Sequence, residues 1–372
     1  MRPAPAQVGD PVGAIDSPAL VVELDAFERN LAAMSAFARS HGVRLRPHAK
    51  THKCAAIALQ QIARGAVGVC VQKVGEALAL TAGGVRDVFV SNEVIAPAKL
   101  ARLAALPSDV NLAVAVDSVA GIERLAAAIH AGRRQIEVFV EIDAGQGRCG
   151  VPPAEAGALA RQVVAHTGLR FAGLQAYHGG AQHLRSTAER ETAIRHAVAM
   201  AVAARAAVTS LGIDCPLVTG AGSGSFLLEA TSGVYGEIQP GSYVFMDADY
   251  ARNEAMPGAP RFEHALFVRS QVIGRHAAHA VVDAGHKSHA VDSGLPTVWG
   301  RDLAFTNGGD EHGLLHPRGR EPLPAPGETV WLVPGHCDPT VNLHEHLVGV
   351  RGGLDEGIVE AVWTIDARGR LD

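Results

Sequence analysis

From about residue 18 to residue 247 the chain alternates between short β-branched runs and Ala/Leu-rich segments with helical spacing. The runs are Arg44–Pro47, Val67–Gln72, Asp87–Asn92, Leu112–Asp117, Ile136–Ile142, Phe171–Tyr177, Leu217–Thr219 and Ser242–Met246. Between them lie Cys54–Arg64, Val119–His130, Pro153–His166 and Ala188–Leu211, and several of these segments stop at glycine, as helix C-termini do. Strands separated by helices of this length imply parallel βαβ units. Eight repeats in about 230 residues predict a (β/α)8 TIM barrel. An open α/β sheet is the competing arrangement, but no Gly-x-Gly-x-x-Gly follows the first strand.

After Asp249 the texture changes to strand-like runs with no long helix between them: Ala265–Gly274, His279–Asp283, Val330–Pro334, Leu347–Arg351 and Gly357–Ile365. The expected organisation is therefore a barrel over residues 18–249 and a mostly β domain over 250–372, with residues 1–17 packing on the latter.

A chain of 372 residues, 48% hydrophobic and 19% charged, buries a sizeable core and is not disordered. A net charge of −5, with no basic run longer than Arg133-Arg134, makes nucleic acid an unexpected partner. Five scattered cysteines fit a reducing compartment. No segment reads as a signal peptide or a membrane span, so the expected location is the cytoplasm.

Active sites of such barrels lie at the carboxyl ends of the strands. Lys50 falls there, in Arg46-Pro47-His48-Ala49-Lys50-Thr51-His52-Lys53-Cys54. A buried lysine among cations has a lowered pKa and becomes a nucleophilic amine. A basic anion-binding loop is the other reading of this segment, and Lys53 is the alternative amine. The Gly220-Ala221-Gly222-Ser223-Gly224-Ser225 loop, before a short helical run, can hold a phosphate on backbone N–H groups, although a plain turn would look the same. An amine able to form a Schiff base and a separate phosphate anchor together point to pyridoxal phosphate. Gln72, Tyr177 and His178 also end strands. Arg148 follows the fifth; it either donates to a pyridine nitrogen or pairs with Asp143.

In the β domain, Gly335-His336-Cys337-Asp338-Pro339 offers a second cluster. On extended backbone His336 and Asp338 would face one side and Cys337 the other. An imidazole and a carboxylate suit Mn, Mg, Co or Zn with open positions, though two ligands alone are a weak signal. The Asp310-Glu311-His312-Gly313 turn is a further source of contacts to such a metal.

Taken together, these motifs resemble the D-threonine aldolase and D-serine dehydratase group of fold-type III pyridoxal phosphate enzymes. The resemblance runs from Asp16-Ser17-Pro18 to Ile365-Asp366-Ala367 and is densest in Arg46–Cys54, Glu141–Gly150, Gln175–His183, Gly236–Tyr250 and Pro334–His344. It implies an alanine racemase-like barrel followed by a β domain, assembled as a homodimer. It makes Lys50 the Schiff-base lysine and Arg148 the partner of the pyridine nitrogen. Thr219, Gly222, Ser223 and Tyr243 fall where phosphate binds, and Tyr177 lies beside the cofactor. His183 becomes the expected base, and His336 with Asp338 the metal ligands. The His-x-Asp pair is similar to that of aldolases that cleave D-3-hydroxy amino acids to glycine and an aldehyde. A dehydratase acting on D-serine or D-threo-3-hydroxyaspartate with the same lysine and metal is the alternative.

Overall fold

A computed structural model describes residues 3–372. Its strands are β1 (Ala19–Glu23), β2 (Arg44–Leu45), β3 (Val69–Val71), β4 (Asp87–Glu93), β5 (Asn111–Val116), β6 (Ile136–Glu141), β7 (Leu169–Ala176), β8 (Val218–Gly220) and β9 (Glu237–Ile238). There follow β10 (Leu266–Arg275), β11 (Ala280–Val282), β12 (Thr297–Val298), β13 (Leu303–Asn307), β14 (Gly313–Pro317), β15 (Thr329–Val333), β16 (His346–Arg351) and β17 (Ile358–Thr364).

Strands β2 to β9 form one eight-stranded sheet in the order β2-β9-β8-β7-β6-β5-β4-β3, and every pairing is parallel. The ring closes where β2 leaves its short ladder. His48 bridges Cys70, Ala49 N donates to Cys70 O at 2.8 Å, and Cys70 N donates to Pro47 O at 2.8 Å. Closure removes both sheet edges. The interior is filled by Cys70, Phe89, Ala113, Ala115, Phe139 and Ala172, with the two phenylalanine rings 4.7 Å apart. Alternate residues of the same strands, such as Val69, Val71, Val88 and Val90, face the helical shell and its Leu80, Leu103, Leu125 and Leu159.

The eighth barrel strand is not Ser242–Met246, as the sequence predicts, but Glu237–Ile238; Ser242–Val244 is a single 3₁₀ turn. The β-branched signal misled because Tyr243, Val244 and Phe245 are buried in a different core, under helix Leu24–Ser40. The second sheet has nine strands, order β13-β14-β11-β10-β1-β16-β17, with β15 joining β10 to β12. Strand β1, although early in the chain, belongs here: it runs antiparallel to β10 and parallel to β16. The N-terminal segment joins the same layer, with Gly9 N donating to Val359 O at 2.9 Å and Val12 and Ile15 buried with Phe267 and Trp331. Among the described residues no helix is long and apolar enough to cross a membrane.

Candidate active site

The carboxyl ends of the barrel strands open onto a cavity of about 590 Å³, roofed by residues of the β domain. Lys50, Gln72, Arg148, Tyr177, His183, Gly222, Ser223, His336 and Asp338 all line it. A larger cavity, about 820 Å³, lies between helix Leu24–Ser40 and the second sheet and contains none of them.

Lys50 reaches the cavity because the chain bends out of β2 at His48, and its Nζ sits 3.1 Å from Asp338 Oδ2. The side chain is 40% exposed, to the cavity. Contrary to the sequence expectation, its pKa is raised: the Asp338 carboxylate outweighs the burial that disfavours the charge. The basic neighbours in sequence point elsewhere. Arg46 is buried against Glu237 and Asp87 at the barrel floor, and Lys53 forms a buried pair with Glu76 at 2.6 Å. That pair removes Lys53 from the site; the amines on the cavity wall are Lys50 and Lys73. His48 is neutral, because burial and then Lys50 push it well below its usual range. Its Nε2 is 3.0 Å from Gln72 Nε2, and Gln72 also donates to Ser91 O at 3.2 Å.

The phosphate side of the cavity is a cradle that side chains would fill. A β-carbon on Gly222 would lie 2.5 Å from Gln182 Oε1, and one on Gly241 would lie 2.6 Å from Thr51 Oγ1. The Thr51 hydroxyl is buried, lines the cavity and lies beside the Asp338 carboxylate, which it helps to hold ionised. Gln182 clamps the loop by accepting from Gly224 N at 2.9 Å and donating to Ser225 Oγ at 2.8 Å. The space the glycines leave beside the Ser223 hydroxyl, at the start of helix Phe226–Thr231, fits a phosphate group. Thr219 and Tyr243, also predicted as contacts, are not on the wall. The Thr219 hydroxyl donates to Glu237 at 2.9 Å inside the barrel, and the Tyr243 hydroxyl accepts from Gln61 at 3.1 Å in the core. Tyr243 acts on the loop only through its backbone N–H, which donates to Ser223 Oγ at 2.9 Å.

Asp143 does not pair with Arg148. Its Oδ1 accepts from Gly145 N at 2.9 Å and Gly147 N at 3.0 Å, shaping the turn that delivers Arg148 to the cavity. Arg148 and Tyr177 thus stand on the wall with Lys50. His178 is absent from the wall, and its Nδ1 is buried without a partner.

His336 and Asp338 are not on a strand. His336 is the extended N-cap residue of a short helix, Cys337–Asn342, and Asp338 lies in that helix's first turn. The helix turns the Cys337 thiol inward, 3.4 Å from Met246 O. Pro339 fits this arrangement, since a proline in a first helical turn sacrifices no intrahelical hydrogen bond. His336 Nε2 is 4.0 Å from Asp338 Oδ2. Two donors about 2.0–2.2 Å from one ion stand about 3.0–3.5 Å apart at octahedral or tetrahedral angles, so a small side-chain shift brings this pair onto one ion. Asp338 Oδ1 is buried with no partner. Burial pushes the Asp338 carboxyl up, but Lys50 and His336 outweigh it and hold the group at about 2, so it is ionised. The donor pair fits a divalent cation, which would also take over from the Lys50 ammonium as counter-charge to Asp338 and free that amine.

Two carboxylates escaped the sequence reading. Asp292 Oδ2 is 2.7 Å from His336 Nδ1, which fixes the ring and leaves Nε2 as the basic nitrogen. The Asp310 turn expected to do this instead pairs with His286 and Lys287. Asp249 Oδ2 is 2.6 Å from His183 Nδ1, and Arg185 and Arg252 hold the same carboxylate. Neither aspartate has a local signature, because each meets its histidine through tertiary packing.

Comparison with known proteins shows the family of the chain. The family model for the alanine racemase N-terminal domain matches residues 22–249, and a serine dehydratase domain model matches residues 265–350. The chain is 46% identical to a D-threonine aldolase of Arthrobacter sp. over 99% of its own length and 96% of the relative's. It is 43% identical to a 3-hydroxy-D-aspartate aldolase of Paracoccus denitrificans, over 98% and 95%. The crystal structure of D-threonine aldolase from Filomicrobium marinum superposes with a TM-score of 0.97 at 47% identity, covering 99% of this chain and all of that one. The chain therefore belongs to the D-threonine aldolase and 3-hydroxy-D-aspartate aldolase family of carbon–carbon lyases, built from an alanine racemase-type barrel and a serine dehydratase-type β domain.

Proposed function

We propose that this protein cleaves D-configured 3-hydroxy amino acids of the D-threonine type to glycine and an aldehyde, using pyridoxal phosphate and a divalent cation. The observation that carries the reading is the meeting of Lys50 with the His336/Asp338 pair in one cavity. When bound, the cofactor supplies an electron sink for the pair left at Cα, and the cation supplies a Lewis acid at the β-oxygen. Lys50 would carry the cofactor, with Gly222, Ser223 and Gly241 around the phosphate and Arg148 at the pyridine nitrogen. An arginine there keeps that nitrogen unprotonated, so the sink is weak and the assistance falls on the hydroxyl side.

His336 Nε2 and the Asp338 carboxylate would hold manganese or a similar ion, and Asp292 keeps the imidazole in the ligating tautomer. His183 is the base that takes the proton from the β-hydroxyl. Its Nδ1 is committed to Asp249, so Nε2 is the nitrogen left to accept. Tyr250, whose ring centroid lies 5.9 Å from that of His183, covers the imidazole.

Incubation with D-threonine and manganese tests the reading. Glycine and acetaldehyde are the expected products, whereas 2-oxobutanoate and ammonia would replace cleavage by elimination.

A further inference from the structure

The structure carries a second group of imidazoles that the proposed reaction does not use. Strands β10 and β11 are joined by His276-Ala277-Ala278-His279, a tight turn in which His276 N donates to His279 O at 2.8 Å. The turn places the two histidines opposite each other, and their rings stack with centroids 4.7 Å apart at 27°. The next register step, Ala280 with Leu315, brings His316 of β14 beside His279, with ring centroids 5.8 Å apart. Three imidazoles therefore form a row across β10, β11 and β14 on one face of the sheet. The face is accessible: His276 is exposed, and His279 and His316 are half-buried.

We propose that His276, His279 and His316 bind a borderline divalent transition-metal ion of the zinc, nickel or copper class, at a site separate from His336 and Asp338. Cross-strand neighbours lie about 4.5–5.5 Å apart, which suits two side chains converging on one ion. Imidazole nitrogens bind such ions at about 2.0–2.1 Å. The donor atoms of the row do not all stand within 4.8 Å of one another, so binding requires the exposed rings to change rotamer towards a common point. Among the described residues no carboxylate pairs with any of the three. Oxygen-seeking ions such as magnesium and calcium therefore find no hard ligand here. His316 is already oriented. Thr306 Oγ1 is 3.0 Å from its Nε2, and with Nε2–H donating to that hydroxyl Nδ1 is free to ligate.

The test is a calorimetric titration of nickel chloride, near pH 7.5, into the full-length protein carrying Asp338→Asn, so that nickel cannot register by displacing manganese from His336 and Asp338. The expected result is a binding event that His276→Gln/His279→Gln removes and His336→Gln leaves in place. His316→Gln should weaken it on the order of tenfold. Cleavage with manganese should be unchanged when the double variant is made with Asp338 intact. Should the double variant be unstable, His276→Ala alone, in the exposed turn, must weaken the event on the order of tenfold. A nickel event that survives in the double variant, or one lost in His336→Gln, overturns the proposal.

Discussion

Lys50 Nζ lies 3.1 Å from Asp338 Oδ2, so the first barrel strand and the β domain meet in one ion pair within a single chain. The two residues should fail in different ways. Lys50→Ala should lose bound cofactor on gel filtration, and cleavage should fall by at least about a thousandfold. Asp338→Asn should keep the cofactor absorbance and lose the cation, with activity that added manganese does not restore. A Lys50→Ala protein that still turned over at the native rate would falsify the scheme.

Asp292 acts only through His336. Asp292→Asn keeps a hydrogen-bonding group 44 residues upstream but removes the charge that favours the Nε2 lone pair. Manganese affinity should drop by about 10–100-fold. Activity at saturating manganese should recover to near the wild-type value. Loss of activity that no concentration of manganese repairs would place Asp292 in another role.

The cradle offers a purely steric test. At Gly222 a β-carbon would press on Gln182 Oε1, and Gln182 is buried and tied to Gly224 and Ser225. Gly222→Ala should therefore weaken cofactor binding on the order of tenfold or more, while the fold, built elsewhere, keeps its circular dichroism. Cofactor affinity equal to wild type would move the phosphate away from this loop.

How much of this was legible beforehand depends on how local each signal is. The barrel was readable because most of its strand–helix units carry their own periodicity, and Lys50 because a strand end has a recognisable sequence context. The eighth strand was misassigned because Glu237–Ile238 is too short to show a pattern, while Tyr243-Val244-Phe245 mimics one. The pKa direction of Lys50 was misread because sequence neighbours suggested cations, whereas the group that dominates is Asp338, nearly the whole chain away. Asp249 and Asp292 were invisible for the same reason: each is defined by a contact across the fold.

His183→Asn removes the base while keeping a polar side chain of similar reach. We expect kcat to fall by about 10²–10⁴ with KM changed only a few-fold, since the residue is asked to move a proton and not to hold the substrate. A loss confined to KM, with kcat near the wild-type value, would make His183 a binding residue instead.

Glu229 gives the stability of the Gly222–Ser225 loop a pH dependence. It lies in the helix after that loop, is 2% exposed, accepts from Ser225 Oγ at 2.8 Å with one oxygen, and has its other oxygen buried without a donor. Burial pushes its carboxyl from 4.5 up to about 7, with the Ser225 hydrogen bond opposing. Between these values the folded protein binds a proton that the unfolded chain does not, so stability is greatest at the acid end and declines as pH rises towards 7. The decline is at most about 3 kcal/mol. Glu229→Gln abolishes this titration, at the cost of an amide N–H left unsatisfied where the bare oxygen stood. The variant should be the less stable protein near pH 5, and the gap should narrow or reverse by pH 8. Urea unfolding at three pH values across that range measures it, and parallel curves for the two proteins would mean that Glu229 is ionised throughout.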